Sequence, residues 1–389
     1  MELKKETYYL IGLGILFAIV SGISFHINSV KVFGDAFRYL EYSENLKDGF
    51  YIEKHNMRYF GFVLFIHLID KLPGNHHLNI IVAQYILSGV ALLFLYRGVK
   101  IIFEKPEIAA ITTALFLLFI EIPFWNSYVL CESLYISSTC IAIYFLARVY
   151  KTGDTISYIG LIGMIVFLAF VKPTGIAFGL AIMITVLFSM RNKVSRPVNL
   201  MMGLGLTFGA IVLVNRYLMT YDVIENYQLG EIISGVTTLP HIKGIQYYMV
   251  DVPGDLNILG DSYPPIIRIT HFALFNFSYW LKLTLAKVMF LITHVRPLWS
   301  IGHNMFNGLF LLFSYFLFVK SLWNKAIRPE IKAFALSYFI IHIAGVGLTA
   351  ADWDGRFLMP VLPVLFILSA FQLSQLCEET NWMKSIKKR

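Results

Sequence analysis

The chain alternates long apolar runs with short charged breaks, and the runs are too long for strands of a soluble sheet. Ile108–Ile120 and Leu309–Val319 contain no charged residue. A helix needs about 20 apolar residues to cross a bilayer. Stretches of that kind occur near 8–26, 77–99, 106–121, 133–150, 156–171, 174–190, 198–217, 304–322, 332–350 and 357–376. That predicts roughly ten helical spans by window length. A membrane β-barrel would show weaker, alternating ten-residue segments instead.

Two long stretches interrupt the spans, 27–76 and 218–303, together with two short turns, 121–132 and 351–356. In the first, Ala36, Tyr39, Leu40, Ser43 and Leu46 recur at helical spacing, which predicts a helix from Asp35 to near Gly49. Tyr59–Leu72 is apolar but short, and Trp280–Val295 is apolar with Lys282 and Lys287 embedded. Both suit helices lying in the membrane interface. The expectation is an all-α polytopic protein, one transmembrane domain over residues 1–389, with interfacial helices in the first and the long late loops.

Composition agrees with that reading: 57% of the 389 residues are hydrophobic and 14% charged. Soluble domains carry about a quarter charged residues. A net charge of +8 would raise nucleic acid for a soluble protein. Here the cations fall in short loops: Lys4 and Lys5; Arg97, Lys100 and Lys105; Arg148 and Lys151; Arg191, Lys193 and Arg196; Lys320, Lys325, Arg328 and Lys332; and the tail ending in Arg389. These groups share one side if 281–295 does not cross, and the positive-inside rule makes that side cytoplasmic, with both termini. The long segments and two short turns then face outward, from the inner membrane of a bacterial or archaeal cell. Tyr8–Val20 reads as a retained signal anchor. Cys131, Cys140 and Cys377 have no metal spacing and read as packing residues, and no internal repeat is visible.

Four polar groups on the outer side carry candidate chemistry. Asp35, in Gly34-Asp35-Ala36-Phe37-Arg38-Tyr39, is a helix cap or a general base held at the surface. Glu132 opens a span, where the helix dipole favours an acid, and shares its turn with Glu121, Trp125 and Asn126. Arg356, in Asp352-Trp353-Asp354-Gly355-Arg356-Phe357, is a local ion-pair partner or a fork for phosphate oxygens. Lys172, before Pro173-Thr174-Gly175, is a snorkelling lysine or a phosphate contact. His55, Arg58 and Arg296 are further cations on that face. Carboxylates and cations together suit transfer from a lipid-linked phosphate donor: cations stabilise the departing phosphate and a carboxylate takes the acceptor's proton. No His/Asp cluster at metal spacing is present, so no metal or other cofactor is expected.

These segments resemble the C-type membrane glycosyltransferases, the superfamily that includes the protein O-mannosyltransferases and the lipid A aminoarabinose transferases. Gly34-Asp35-Ala36 with Tyr39 looks like its acidic first-loop motif, Glu132-Ser133-Leu134-Tyr135 like its second acidic motif, and Arg356-Phe357-Leu358-Met359-Pro360 with Pro363 like its Arg-aromatic-Leu-x-Pro segment. The resemblance implies a polyprenyl-phosphate sugar donor, inversion at the anomeric carbon and a site at the outer face. It implies Asp35 as base and Glu132 as an assisting or acceptor-positioning acid. Lys172, Arg296, Arg356, Arg58, His55 and Tyr39 are the candidates for substrate binding, with Trp125 and Trp299 as possible pocket walls. The acceptor is a glycan, a lipid-linked molecule or a protein. Many members carry paired acids in the first loop, whereas Asp35 is followed here by Ala36. The rival readings are an O-antigen-type polymerase or ligase with a lipid-diphosphate donor, a lipid or sugar transporter or flippase, and a scaffold. Midspan stretches nearly free of ionisable residues, His342 apart, speak against a transporter.

Overall fold

The computed structural model describes residues 2–51, 57–220, 223–238, 244–349 and 351–386. Each apolar run is helical, since a backbone in lipid has to satisfy its hydrogen bonds within its own segment. The main helices are α1 (Glu2–Asn28), α2 (Asp35–Asn45), α3 (Phe60–Ile69), α4 (His76–Phe103), α5 (Pro106–Leu118), α6 (Cys131–Lys151), α7 (Thr155–Val171) and α8 (Ile176–Met190). There follow α9 (Arg196–Leu218), α10 (Val223–Leu229), α11 (Pro265–Phe275), α12 (Phe277–Thr293), α13 (Ile301–Leu322), α14 (Pro329–Leu348) and α15 (Leu362–Ile386). Among the described residues there is no strand, only isolated bridges.

The protein is an integral membrane protein of the polytopic helical class. Eight helical stretches are long and apolar enough to cross, or nine if α5 and the bent segment Glu121–Ser127 form one span. The tenth expected span, α7, is helical but has only 17 residues. The three segments expected to lie in the interface are helical, as α2, α3 and α12, each within a few residues of the expected boundaries.

Contacts divide the chain into two units, residues 1–176, 312–327 and 359–389, and residues 177–311 and 328–358. In the first unit, α6 packs along α4 and α7, and α5 lies between α1, α4 and α15. α6 and α15 are its central helices, 67% and 78% buried over their apolar windows, against 11% for α1. Hydroxyls inside α5 and α6 bond back to their own turns, as Thr112 does to Ile108 and Thr139 to Tyr135. Each such bond satisfies a hydroxyl that would otherwise be buried unpaired.

The two ends of this unit differ chemically. At one, ion pairs join the helix termini: Lys5 to Glu107, Lys100 to Glu6, Lys105 to Glu378, Lys151 to Glu104 and Arg148 to Asp154. Such exposed pairs contribute little individually. They bring together several of the basic groups expected on one side. The opposite end carries α2, α3 and the acids. In the second unit, α12 packs on α14, α11 on α9 and α12, and α10 on α11. Its core gathers Tyr227, Phe272, Tyr279 and Leu283.

Candidate active site

At the acid-bearing end of the first unit, the chain leaving α1 runs beside the segment that enters α6. Lys31 and Tyr128 form a parallel bridge: the Lys31 amide donates to Ser127 O at 2.9 Å, and the Val129 amide donates to Lys31 O at 3.0 Å. Asp35 lies four residues beyond Lys31, and Glu132 four beyond Tyr128. The bridge therefore sets the register in which the two helices carrying the acids begin. Gln84 fixes the second segment, donating to Asn126 O at 3.0 Å and Tyr128 O at 2.8 Å. Ser133 closes the turn by donating to Asn126 Oδ1 at 2.6 Å.

Tyr39 stands at the meeting point. It is 1% exposed, its ring 5.1 Å from that of Tyr59 and 5.3 Å from that of Phe62. Burial pushes the phenol's ionisation well above its ordinary range, with Cys131, Tyr59, Asp35 and Glu132 adding to the rise. Those four groups are thus close enough to act on it. Asp35 is partly exposed and paired with Arg38 one helical turn on. Ala36, the next residue, is wholly buried.

Glu132 and Lys172 form the buried core of the site. Lys172 Nζ donates to Glu132 Oε1 at 2.6 Å, and the two side chains are 4% and 1% exposed. Lys172 is placed there by the Pro173-Thr174-Gly175 turn. A Cβ on Gly175 would sit 2.1 Å from Leu168 O, so the turn closes only without a side chain. A similar close approach seats α3 on the end of α7, where a Cβ on Gly61 would lie 2.9 Å from Val171 Cγ2. Between α3 and α7 opens an apolar groove of about 480 Å³, walled by Met57, Phe60, Leu64, Val166, Phe167 and Phe170. Its wall ends two residues short of Lys172. Arg58 adjoins Tyr59 in sequence at the start of α3. His55 lies outside the described residues. Glu121 and Trp125 are buried in the turn before α6, with the indole 5.0 Å from the Tyr128 ring.

Arg296 and Arg356 belong to the second unit. The Arg296 guanidinium is 0% exposed and largely spent on its own loop: Nη1 donates to Phe290 O at 2.8 Å and Val295 O at 3.2 Å, and Nη2 lies 3.8 Å from Asp352. Arg356 Nε lies 3.5 Å from Asp354 Oδ1, with the side chain 19% exposed. Beside Arg296, His294 is wholly buried, and burial followed by the charge of Arg296 pushes its ionisation down. Trp299 stacks on His303 at 4.3 Å. His342 Nε2 is 2.6 Å from Phe357 O, a hydrogen bond that pins the segment after Arg356. Among the described residues no group of three or more His, Cys, Asp or Glu could hold a metal.

Sequence reasoning singled out Asp35, Tyr39, Glu132 and Lys172, and the structure brings these four together. It missed Lys31, Gln84 and Tyr128. Gln84, a lone amide within an apolar run, was a visible signal of a buried hydrogen-bonding duty.

Residues 60–215 match the family model described as dolichyl-phosphate-mannose-protein mannosyltransferase, less than half of the chain but including Glu132 and Lys172. The fold is similar to the crystal structure of ArnT from Cupriavidus metallidurans in the apo state, at 14% identity and a TM-score of 0.50, covering 96% of this chain. The crystal structure of ArnT from the same organism bound to undecaprenyl phosphate aligns at 13% identity and a TM-score of 0.49, covering 95% of this chain. This chain spans 62% and 60% of the length of those two structures. A sequence search of curated proteins finds no match. The first of these likenesses concerns the fold alone: the chain shares the polytopic helical fold of ArnT.

Proposed function

We propose that this protein is a membrane glycosyltransferase that moves a sugar from a polyprenyl-phosphate donor to an acceptor hydroxyl, with inversion, at the outer membrane face. The observation that carries the reading is the bridged entry of α2 and α6, which brings the acids Asp35 and Glu132 to one buried tyrosine beside a lysine. The family model's description, a lipid-phosphate mannose transferase, supports the same donor class. So does the apolar groove ending near Lys172, which suits the donor's hydrocarbon chain.

In this reading the Asp35 carboxylate accepts the acceptor's hydroxyl proton. The acceptor oxygen forms its bond to the anomeric carbon, the carbon–oxygen bond to phosphate breaks, and the electron pair leaves on the lipid phosphate. Asp35 is partly exposed, which lets an acceptor reach it, and Arg38 holds its direction. The buried Glu132–Lys172 pair fixes the floor of the site, and Lys172 offers its remaining protons to the donor. Arg58, in the same unit as these acids, stays a candidate phosphate contact, and no metal is needed for a departing phosphate that starts with one charge. The test is transfer by purified protein from lipid monophosphate and lipid diphosphate sugars. The expected result is turnover with the monophosphate alone, abolished by Asp35→Asn while the melting temperature stays at the wild-type value. Wild-type turnover in that variant removes Asp35 as base; turnover with the diphosphate alone removes the donor class.

A further inference from the structure

Lys287 sits inside an apolar run, where the sequence suits an interfacial lysine, yet its side chain is wholly buried within the second unit. Its Nζ donates to Thr349 O at 2.8 Å and lies 5.1 Å from the centre of the Tyr227 ring. Thr349 closes α14, so the ammonium stands at the negative end of that helix's dipole, where a cation is favoured. The Tyr227 hydroxyl donates to the neighbouring carbonyl, Leu348 O, at 2.6 Å, and Tyr227 O accepts from the Tyr279 hydroxyl at 2.6 Å. α12 approaches this end of α14 closely: a Cβ on Gly347 would lie 2.7 Å from Cγ2 of Val288, the residue after Lys287.

The chain beyond α14 is held just as firmly. The Ser234 amide donates to Ala351 O at 2.9 Å, in a parallel bridge between Ile233 and Ala351. The Glu231 carboxylate braces the bridging loop, accepting from the Gly235 amide at 2.7 Å and from the Thr237 hydroxyl at 2.8 Å. At the far end of the turn His342 Nε2 bonds Phe357 O, and Gly355 is pressed against His294 and Trp299. α10, the 231–237 loop, α12 and α14 thus fix the backbone on both sides of 352–356. Within that turn Arg356 presents a partly exposed guanidinium, 3.5 Å from Asp354. A rigid fork recognises its partner only while the backbone that carries it stays in place. A buried charge is a poor source of net stability, and specifying one arrangement is its alternative use.

We propose that Lys287 is a positioning residue: by capping α14 it sets where Arg356 meets the substrate. The role rests on the function proposed above and extends it to a residue outside the recognised motifs. The test is a double-mutant cycle on the full-length protein in detergent, with KM and kcat measured for a lipid monophosphate sugar in wild type, Lys287→Met, Arg356→Lys and the double variant. Lys287→Met is expected to raise KM about tenfold with kcat little changed, the scale of a misplaced binding group. In the Arg356→Lys background the same substitution should raise KM less than about twofold, because the contact it places is already weakened. Lys287→Arg, which keeps the charge at the end of α14, should restore most of the loss. A KM in Lys287→Met equal to wild type overturns the proposal. So does an equal rise in both backgrounds, which is what general loosening of the fold produces. Either result leaves the transferase reading standing, whereas a wild type inactive with the lipid monophosphate sugar overturns that reading and this role with it. If Lys287→Met does not fold, Tyr227→Phe carries the test, since it keeps the ring beside the ammonium but removes the donor to Leu348 O. A severalfold rise in KM that is absent from the Arg356→Lys background supports the proposal, and no rise overturns it.

Discussion

Lys172 and Glu132 meet at 2.6 Å with both side chains almost wholly withdrawn from solvent. A buried pair of this kind is weak as net stabilisation but severe to break, since removing one partner strands a desolvated charge. Lys172→Met or Glu132→Leu alone is therefore expected to lower stability by about 3–5 kcal/mol. The double variant should recover most of that loss. Thermal unfolding of the four proteins in one detergent checks it, and a double variant as unstable as the sum of the singles removes the pair as a coupled unit.

Gly175→Ala acts on the same pair from a distance. Its methyl would press on the Leu168 carbonyl, so the turn has to shift and carry Lys172 with it. The expected outcome is a lower melting temperature and at least about tenfold slower transfer, in line with the cost of misplacing a catalytic group by an ångström. Gly203→Ala, where a Cβ meets open space, is the control and should behave as wild type.

The phenol of Tyr39 stays protonated throughout any practical assay range, because burial and its acidic neighbours raise its ionisation. The unfolded chain loses that proton first, so this group lowers folded stability only above the ordinary tyrosine range, as pH rises. A rising limb of activity with pH hence reports some other group. Tyr39→Phe is expected to reduce turnover severalfold without moving that limb; a displaced limb would show that Tyr39 itself titrates during catalysis.

Arg296 offers a test between structure and substrate. Its fork bonds two carbonyls of its own loop and faces Asp352, so Arg296→Lys should lower the melting temperature more than it raises the donor KM. For Arg356, which is more exposed and loosely paired, the order should reverse. A donor KM that rises in Arg296→Lys at unchanged stability assigns Arg296 to the phosphate.

Asn75 accepts from the Leu78 amide at 3.0 Å and caps α4 far along the chain from the acids. Asn75→Ala should cost about 1 kcal/mol of stability, with turnover per folded molecule preserved. Unfolding and transfer measured on the same sample separate the two.

Much of this protein follows from the chain alone. Long uncharged runs have one solvent that tolerates them, and a backbone in that solvent has to be helical, so the spans and the shorter helices α2, α3 and α12 were readable from apolar period and length. Asp35, Glu132 and Lys172 stood out because each is a charged residue at the edge of an apolar run. What periodicity could not supply was partnership. Lys172 lies 40 residues from the acid it neutralises, and Lys31 lies 97 from the tyrosine that orients it. Pairings at such separations depend on how helices pack, on close approaches at Gly61 and Gly175, and on a two-bond bridge between loops. The sequence by itself determined the solvent, the helices and the kind of groups present; the tertiary structure decided which charges are spent on one another and which stay available to a substrate.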